Sequence, residues 1–164
     1  MSDIKSDNQF YEEKININRK AIEHRATWMA LMFEEAEKEG APAEKIARNA
    51  VSRTGSIHGA DFKKECKDPE DLKAFKDVFL NDVGVGTFEM DVQESTEEDL
   101  KIEFHHCPLV DAWKKLDIGD EECAKLCDIA MDGDRGIAKA MGYKFDLTDT
   151  IAKGDKTCKL HFYK

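Results

Sequence analysis

The sequence lacks any hydrophobic run close to the roughly 20 residues that a helix needs to cross a bilayer. It also lacks a basic start followed by an apolar stretch, so we expect a cytoplasmic protein with no secretory signal and no membrane partner. There is no dense basic stripe, and the net charge is −10. A field of that sign repels phosphate backbones, so we expect no nucleic-acid partner.

Paired cysteine motifs are missing too, because none of the 5 cysteines belongs to a Cys-x-x-Cys pair. Zinc-ribbon and thioredoxin-like interpretations therefore lose their main support. The odd number of cysteines favours reduced thiols over a disulfide framework. With 164 residues, the chain has the usual size of one domain. We expect residues 1–164 to form that domain, with a flexible segment at residues 1–9.

Apolar residues recur at helical spacing through the first half of the chain. This pattern predicts a first helix over about residues 10–39, which ends at Gly40. A second helix is predicted over Ala43–Arg53, with Gly55 as its stop. A third helix begins near Asp68, where a capping residue is followed by proline at the first helical position.

Alternating hydrophobicity then replaces the helical period and predicts four strands. Thr87–Glu94 and Leu100–His106 would form one antiparallel hairpin, while Lys144–Ala152 and Lys156–Tyr163 would form a second. Further helices are predicted between the hairpins, after Cys107. The expected fold is therefore α+β: an antiparallel sheet of about four strands in two hairpins, with an N-terminal helical segment and further helices packed on one face.

The second half of the chain concentrates the reactive side chains. Cys107 follows a predicted strand at a helix start, Cys127 lies on the apolar side of the next helix, and Cys158 points inward on the last strand. If the two hairpins are neighbours, these thiols converge at one end of the sheet. His106 has the inward phase of its strand and would join them. The acidic residues between Asp128 and Asp134 are more typical of a solvated helix edge.

Two chemistries fit such a cluster, and a structural interpretation competes with both. A thiolate would attack an electrophilic carbon, and Cys107 suits this because a helix N-terminus favours negative charge. Alternatively, Cys107, Cys127 and Cys158 would hold a divalent metal, Zn or Fe, that makes hydroxide from water. Buried cysteine is, however, most often a small apolar filler, as in an interaction domain.

Three segments resemble the L-2-amino-thiazoline-4-carboxylic acid hydrolase family. They are Cys107-Pro108-Leu109, Leu126-Cys127 with Asp132 five residues further on, and the closing stretch Thr150–Cys158. The resemblance covers about residues 20–164. It implies a bacterial cytosolic enzyme that opens a cyclic amidine with water and releases N-carbamoyl-cysteine. The matching positions are Cys107, Cys127, Asp132 and Cys158, with Asp128 as an alternative to Asp132.

On this resemblance we expect a hydrolase that opens a small cyclic amidine, with His106 as an acid that protonates the leaving group. The alternative is a cysteine-lined metal- or small-molecule-binding module without turnover. The expected partner is a small-molecule substrate, and a homo-oligomer is left open. An anionic substrate would need a local cationic pocket, which the sequence does not locate.

Overall fold

A computed structural model describes residues 12–164 of the chain. The flexible segment expected at residues 1–9 therefore lies outside the described residues. The elements follow in this order: α1 (Glu13–Lys38), α2 (Ala43–Glu65), α3 (Leu72–Phe79), α4 (Asp82–Phe88), β1 (Met90–Ser95), β2 (Asp99–Phe104), α5 (Pro108–Lys115), α6 (Asp120–Ala130), α7 (Asp132–Met141), β3 (Lys144–Leu147), a 3-10 turn (Ile151–Lys153) and β4 (Cys158–Tyr163). None of these helices combines the length and the apolar character that crossing a membrane requires.

The four strands form one antiparallel sheet in the order β1-β2-β4-β3. β1 pairs with β2 in the first hairpin, and β3 pairs with β4 in the second. The two hairpins are joined by the pairing of β2 with β4, in a register that places Ile102 opposite Leu160. Alternate residues of β4 are buried, so one face of the sheet carries the core and the other meets solvent. The α+β fold with two hairpins, an N-terminal helix and helices on one face is confirmed.

Helix α2 is longer than the sequence predicts. The predicted stop at Gly55 is wrong, because the helix continues to Glu65. A Cβ on Gly55 would overlap the backbone of Gly133 on α7, and a Cβ on Gly59 would lie 2.7 Å from the Cβ of Ala140. These glycines therefore permit a close helix crossing rather than ending the helix.

Two predicted strand boundaries are also wrong. The first strand does not begin at Thr87, because α4 occupies this stretch, and the side chain of Asn81 caps it by accepting the N–H of Gly84. Glu89 then takes a left-handed conformation that ends the helix, and β1 begins one residue later. The third strand stops at Leu147, because the backbone turns into the short 3-10 segment instead of extending.

Helix α1 is held against α5 at the centre of the molecule. The side chain of Trp113 is fully buried, and its indole N–H donates to the carbonyl oxygen of Ala26 over 3.0 Å. A buried indole N–H needs such an acceptor, so this bond fixes how α1 crosses α5. Ala26 also lines a cavity that α1 encloses together with α2, α5 and α7.

Candidate functional site

The thiols predicted as site residues are buried, and none forms a disulfide. Cys107, Cys127 and Cys158 are all part of the hydrophobic core, as are Cys66 and Cys123. Charge on Cys158 raises the Cys107 pKa, and charge on Cys107 or Cys158 raises the Cys127 pKa. Cys66 and Cys123 are buried as well.

Burial controls the ionisation of these thiols. The Cys107 pKa is raised to about 12 by desolvation and by Cys158, although the N–H groups of Val110 and Leu109 at the start of α5 oppose the shift. Desolvation raises the Cys158 pKa to about 11, with the N–H of Ile151 donating to its sulfur over 3.3 Å. Desolvation likewise raises the Cys127 pKa. All three are therefore neutral thiols at pH 7.

The structure gives no support to a metal held by these cysteines. Within residues 12–164, no group of three or more His, Cys, Asp or Glu side chains is arranged to hold a metal ion. His106 is buried, and its Nε2 lies 3.4 Å from Oδ2 of Asp111 on α5. The imidazole is thus directed to a neighbouring carboxylate.

Asp132 is committed to two arginines. Its Oδ2 accepts from Nη1 of Arg48 over 3.1 Å, and its Oδ1 accepts from Nη1 of Arg135 over 2.6 Å. Asp128 binds the same two guanidinium groups, each over 2.7 Å. Desolvation would raise the Asp128 pKa, but hydrogen bonds from Arg135 and Arg48 outweigh it and lower the value. The four groups form a charge network that joins α2 to α6 and α7.

A cavity of about 330 Å³ opens beside this network, between α1, α2, α5 and the α6–α7 junction. We call it the helix pocket. Its apolar wall consists of Ala26 and Met29 on α1, Val51 on α2, Leu109 on α5, Ala130 on α6 and Ile137 on α7. Small-molecule sites usually combine such a wall with a few polar groups at defined positions.

Asp134 is the acidic group of the helix pocket. It lies in the first turn of α7, and the cavity wall around it leaves it only partly accessible. Desolvation raises its pKa to about 6, although its own backbone N–H and Arg135 favour the charged form. A carboxyl group that titrates near neutrality in a cavity is suited to take and return a proton.

Arg25 and His58 form the basic side of the same pocket. Both side chains are exposed, and they lie on α1 and α2 respectively. Within the described part of the chain, the guanidinium of Arg25 makes no ion pair or side-chain hydrogen bond. A cationic side chain therefore lines the helix pocket, and the sequence had not located one at any cavity.

The predicted cysteines adjoin the helix pocket without lining it. Cys107 accepts the N–H of Leu109, whose side chain lines the cavity. Cys127 lies one turn before Ala130 on α6, and the charge of Asp134 raises the Cys158 pKa. The thiols therefore lie close behind the wall.

Sequence reasoning missed Asp134, Arg25 and His58. A signal for Asp134 was present, because the spacing from Ala130 through Asp134 to Ile137 follows one helix face. The other two residues could not be found in this way, since their place at the pocket depends on how α1 and α2 cross α7.

Comparisons with known proteins match this chain to one family. The sequence model of a family described as L-2-amino-thiazoline-4-carboxylic acid hydrolase matches residues 19–162. No curated protein matches the chain. Among solved structures, trafficking protein particle complex subunit 3 from Naegleria fowleri, covalently bound to palmitic acid, is similar with a TM-score of 0.51 and 11% identity, over 85% of this chain and 94% of that chain. At that identity, the likeness concerns the fold alone.

Proposed function

Because this chain belongs to the L-2-amino-thiazoline-4-carboxylic acid hydrolase family, we propose that it opens a small cyclic amidine with water in the helix pocket. The family supports a hydrolase-like function, and the proposal adds the substrate and the site. The expected substrate is 2-amino-thiazoline-4-carboxylate or a close analogue, and the expected product is N-carbamoyl-cysteine.

The observation that carries the proposal is the carboxyl group of Asp134 in the wall of the cavity. With a pKa of about 6, it is mostly ionised at pH 7 and only slightly basic. That balance suits a general base, because the group must accept a proton from water and release it within one turnover. Asp132 lacks this availability, since both of its oxygens are bound by guanidinium groups.

The reaction begins with a water molecule placed between Asp134 and the protonated amidine. The water oxygen bonds to the amidine carbon, one water proton passes to the carboxylate, and the electron pair of the C=N bond moves to the ring nitrogen. The carbon–sulfur bond then breaks with its electron pair on sulfur, and Asp134 returns its proton there. The remaining hydroxyl becomes the new carbonyl and releases its proton to solvent.

The shape of the helix pocket is consistent with a single small ring. Its volume of about 330 Å³ lies at the lower end of the range for ligand sites, roughly 300–1,000 Å³. Apolar side chains such as Met29, Val51 and Ile137 would contact the ring faces and exclude bulk water. Exclusion of water strengthens the electrostatic effect of Asp134 on the reacting carbon.

In a competing version, the Cys107 thiolate attacks the amidine carbon, which is one of the two chemistries that the sequence left open. Its high pKa opposes this version, because the thiol would need a base before it could act. In our proposal, Cys107, Cys127 and Cys158 pack behind the pocket wall and keep it in shape. Replacing Cys107 with alanine therefore lowers activity only as far as the wall is disturbed, whereas a nucleophile would be lost completely.

The second candidate is a binding module without turnover. The apolar wall favours it, since Ala26, Leu109 and Ile137 would hold an apolar ligand without chemistry. The similar subunit structure was solved with palmitic acid covalently attached. Intact-mass measurement of the purified protein would reveal a covalent acyl group or another retained ligand, and elemental analysis would reveal a metal.

The deciding experiment incubates the purified protein with 2-amino-thiazoline-4-carboxylate and measures N-carbamoyl-cysteine by mass spectrometry. We expect turnover by the wild type, at least a 100-fold loss in Asp134→Asn, and retained turnover in Asp132→Asn. Full activity in Asp134→Asn would reject the assignment of the base. Ligand binding with no product would favour the binding module.

A further inference from the structure

The helix pocket contains a cationic group, Arg25, that forms no ion pair with any of residues 12–164, and an acidic group, Asp134. Arg25 lies on α1 at one side of the cavity, and Asp134 lies on α7. The neighbouring arginines Arg48 and Arg135 are neutralised by Asp128 and Asp132, so they are not available to a ligand. In a chain of net charge −10, a guanidinium at the cavity offers an anionic ligand a local positive charge.

We propose that Arg25 binds the carboxylate of the substrate and thereby restricts the site to small carboxylates. This inference rests on the proposed function and identifies the residue that selects the substrate class. The planar guanidinium offers paired N–H donors that match the two oxygens of a carboxylate. His58, which lines the same cavity, supplies a further donor when it presents an N–H.

This arrangement also orients the substrate. The anionic end remains at the exposed side with Arg25, where it keeps part of its hydration, and the uncharged part of the ring enters the apolar cavity. The carboxylate is thereby kept away from the negative charge of Asp134. Since Arg25 contacts a group that does not react, it stabilises the bound substrate and the transition state about equally.

The test compares two substrates in four proteins. The substrates are 2-amino-thiazoline-4-carboxylate and its neutral 4-carboxamide, and the proteins are the wild type, Arg25→Ala, Arg25→Lys and Arg53→Ala. Arg53 is the matched control, because it is an exposed α2 arginine that does not line the pocket. Circular dichroism and the unfolding midpoint establish that each variant is folded.

We expect the wild type to prefer the carboxylate, and Arg25→Ala to raise its KM by about 10-fold or more while kcat changes by less than about 3-fold. The KM for the carboxamide should hardly change, so the preference disappears. Arg25→Lys should restore part of it, and Arg53→Ala should behave as the wild type. An unchanged preference in Arg25→Ala overturns the inference and leaves the proposed hydrolase intact.

The two proposals fail in different ways. If neither substrate is turned over, the hydrolase proposal fails, and the binding of the same two compounds is then measured by NMR titration. Tighter binding of the carboxylate that is lost in Arg25→Ala and kept in Arg53→Ala supports Arg25 as the residue that binds the substrate carboxylate. Equal or absent binding of the two compounds by the wild type overturns it.

Discussion

Gly55 on α2 lies directly against the backbone of Gly133 on α7, with no space for a side chain between them. This contact brings the two helices so close that residues next to both glycines share one cavity wall. His58 follows Gly55 by one turn, and Asp134 follows Gly133 directly. The helix crossing therefore builds the pocket.

The first prediction tests that crossing with alanine at each glycine. A methyl group at Gly55 would overlap the carbonyl group of Gly133, and only a shift of the backbone could relieve this overlap. Gly55→Ala should therefore lower the free energy of unfolding by about 2 kcal/mol or more. Gly133→Ala is the control, because its Cβ would meet only Cγ1 of Val51 at 3.7 Å. Urea unfolding should give a free energy of unfolding within about 1 kcal/mol of the wild type for this control. Equal destabilisation by the two changes would contradict the close contact.

The second prediction concerns the stability cost of Asp134. Its pKa is about 6 in the folded protein and near 3.8 when unperturbed, so the carboxyl is harder to ionise in the folded state. The protonated carboxyl contributes fully to stability only when the pH is below its unfolded pKa of about 3.8, and this contribution is lost as the pH rises through about 6. Asp134→Asn should therefore raise the free energy of unfolding by roughly 2 kcal/mol at pH 7, allowing for partial solvent access.

The comparison is made by urea unfolding at pH 4 and pH 7. At pH 4 the difference should shrink to less than about 1 kcal/mol, because the carboxyl is then protonated in the folded state and about half protonated in the unfolded state. If the variant is less stable than the wild type at pH 7, the ionised carboxyl of Asp134 is stabilised by a partner and is not destabilised by its burial.

The sequence was sufficient for the two hairpins because their signal is local. Alternation in Leu100 and Ile102, and again in Leu160 and Phe162, marks one buried face. The pairing of β2 with β4 could not be predicted in this way, because α5, α6 and α7 separate the two hairpins along the chain. The length of α2 could not be predicted from a local signal of this kind. Whether Gly55 ends a helix or admits a neighbour depends on α7, which lies far along the chain.

Near the candidate site, only the burial of the thiols could be predicted from the sequence. The thiol positions follow from periodicity, so their place in the core could be anticipated. The difference between Asp132 and Asp134 could not, because it is made by Arg48, which reaches across from α2 to bind one carboxylate and leaves the other to the cavity. Charge pairing between distant elements leaves no pattern in a single sequence.

The third prediction is that the thiols are slow to react in the folded protein. With a pKa of about 11 for Cys158 and about 12 for Cys107, only about one thiol in 10,000 or fewer is ionised at pH 7. Reaction with a disulfide reagent should therefore be far slower than in urea, where all thiols are accessible. One thiol that reacts in the native protein as fast as free cysteine would favour the nucleophile version.

The fourth prediction is the pH dependence of kcat/KM. If Asp134 is the base, activity should rise as the pH passes about 6 and then level off, because only the carboxylate accepts the proton from water. Arg25 on α1 and His58 on α2 line the same pocket, Arg135 on α7 favours the charged form of Asp134, and Asp134 in turn raises the Cys158 pKa. Replacing His58 with glutamine should leave this rise in activity unchanged, which shows that the carboxyl of Asp134 and not the imidazole of His58 causes it. Activity that falls above pH 6 would instead make Asp134 the acid.

The last prediction contrasts the two carboxylates of α7. Asp132→Asn weakens two ion pairs in the charge network, so it should cost about 1 kcal/mol of stability and leave turnover within a few fold of the wild type. Asp134→Asn should do the opposite, gaining stability at pH 7 and losing turnover. The two variants should have opposite effects because the burial of a functional carboxylate lowers the stability of the fold, and its replacement restores that stability. Unfolding midpoints and product formation, measured on the same preparations, decide the matter: if Asp132→Asn is inactive and Asp134→Asn is active, the base belongs to the residue that the sequence resemblance identified.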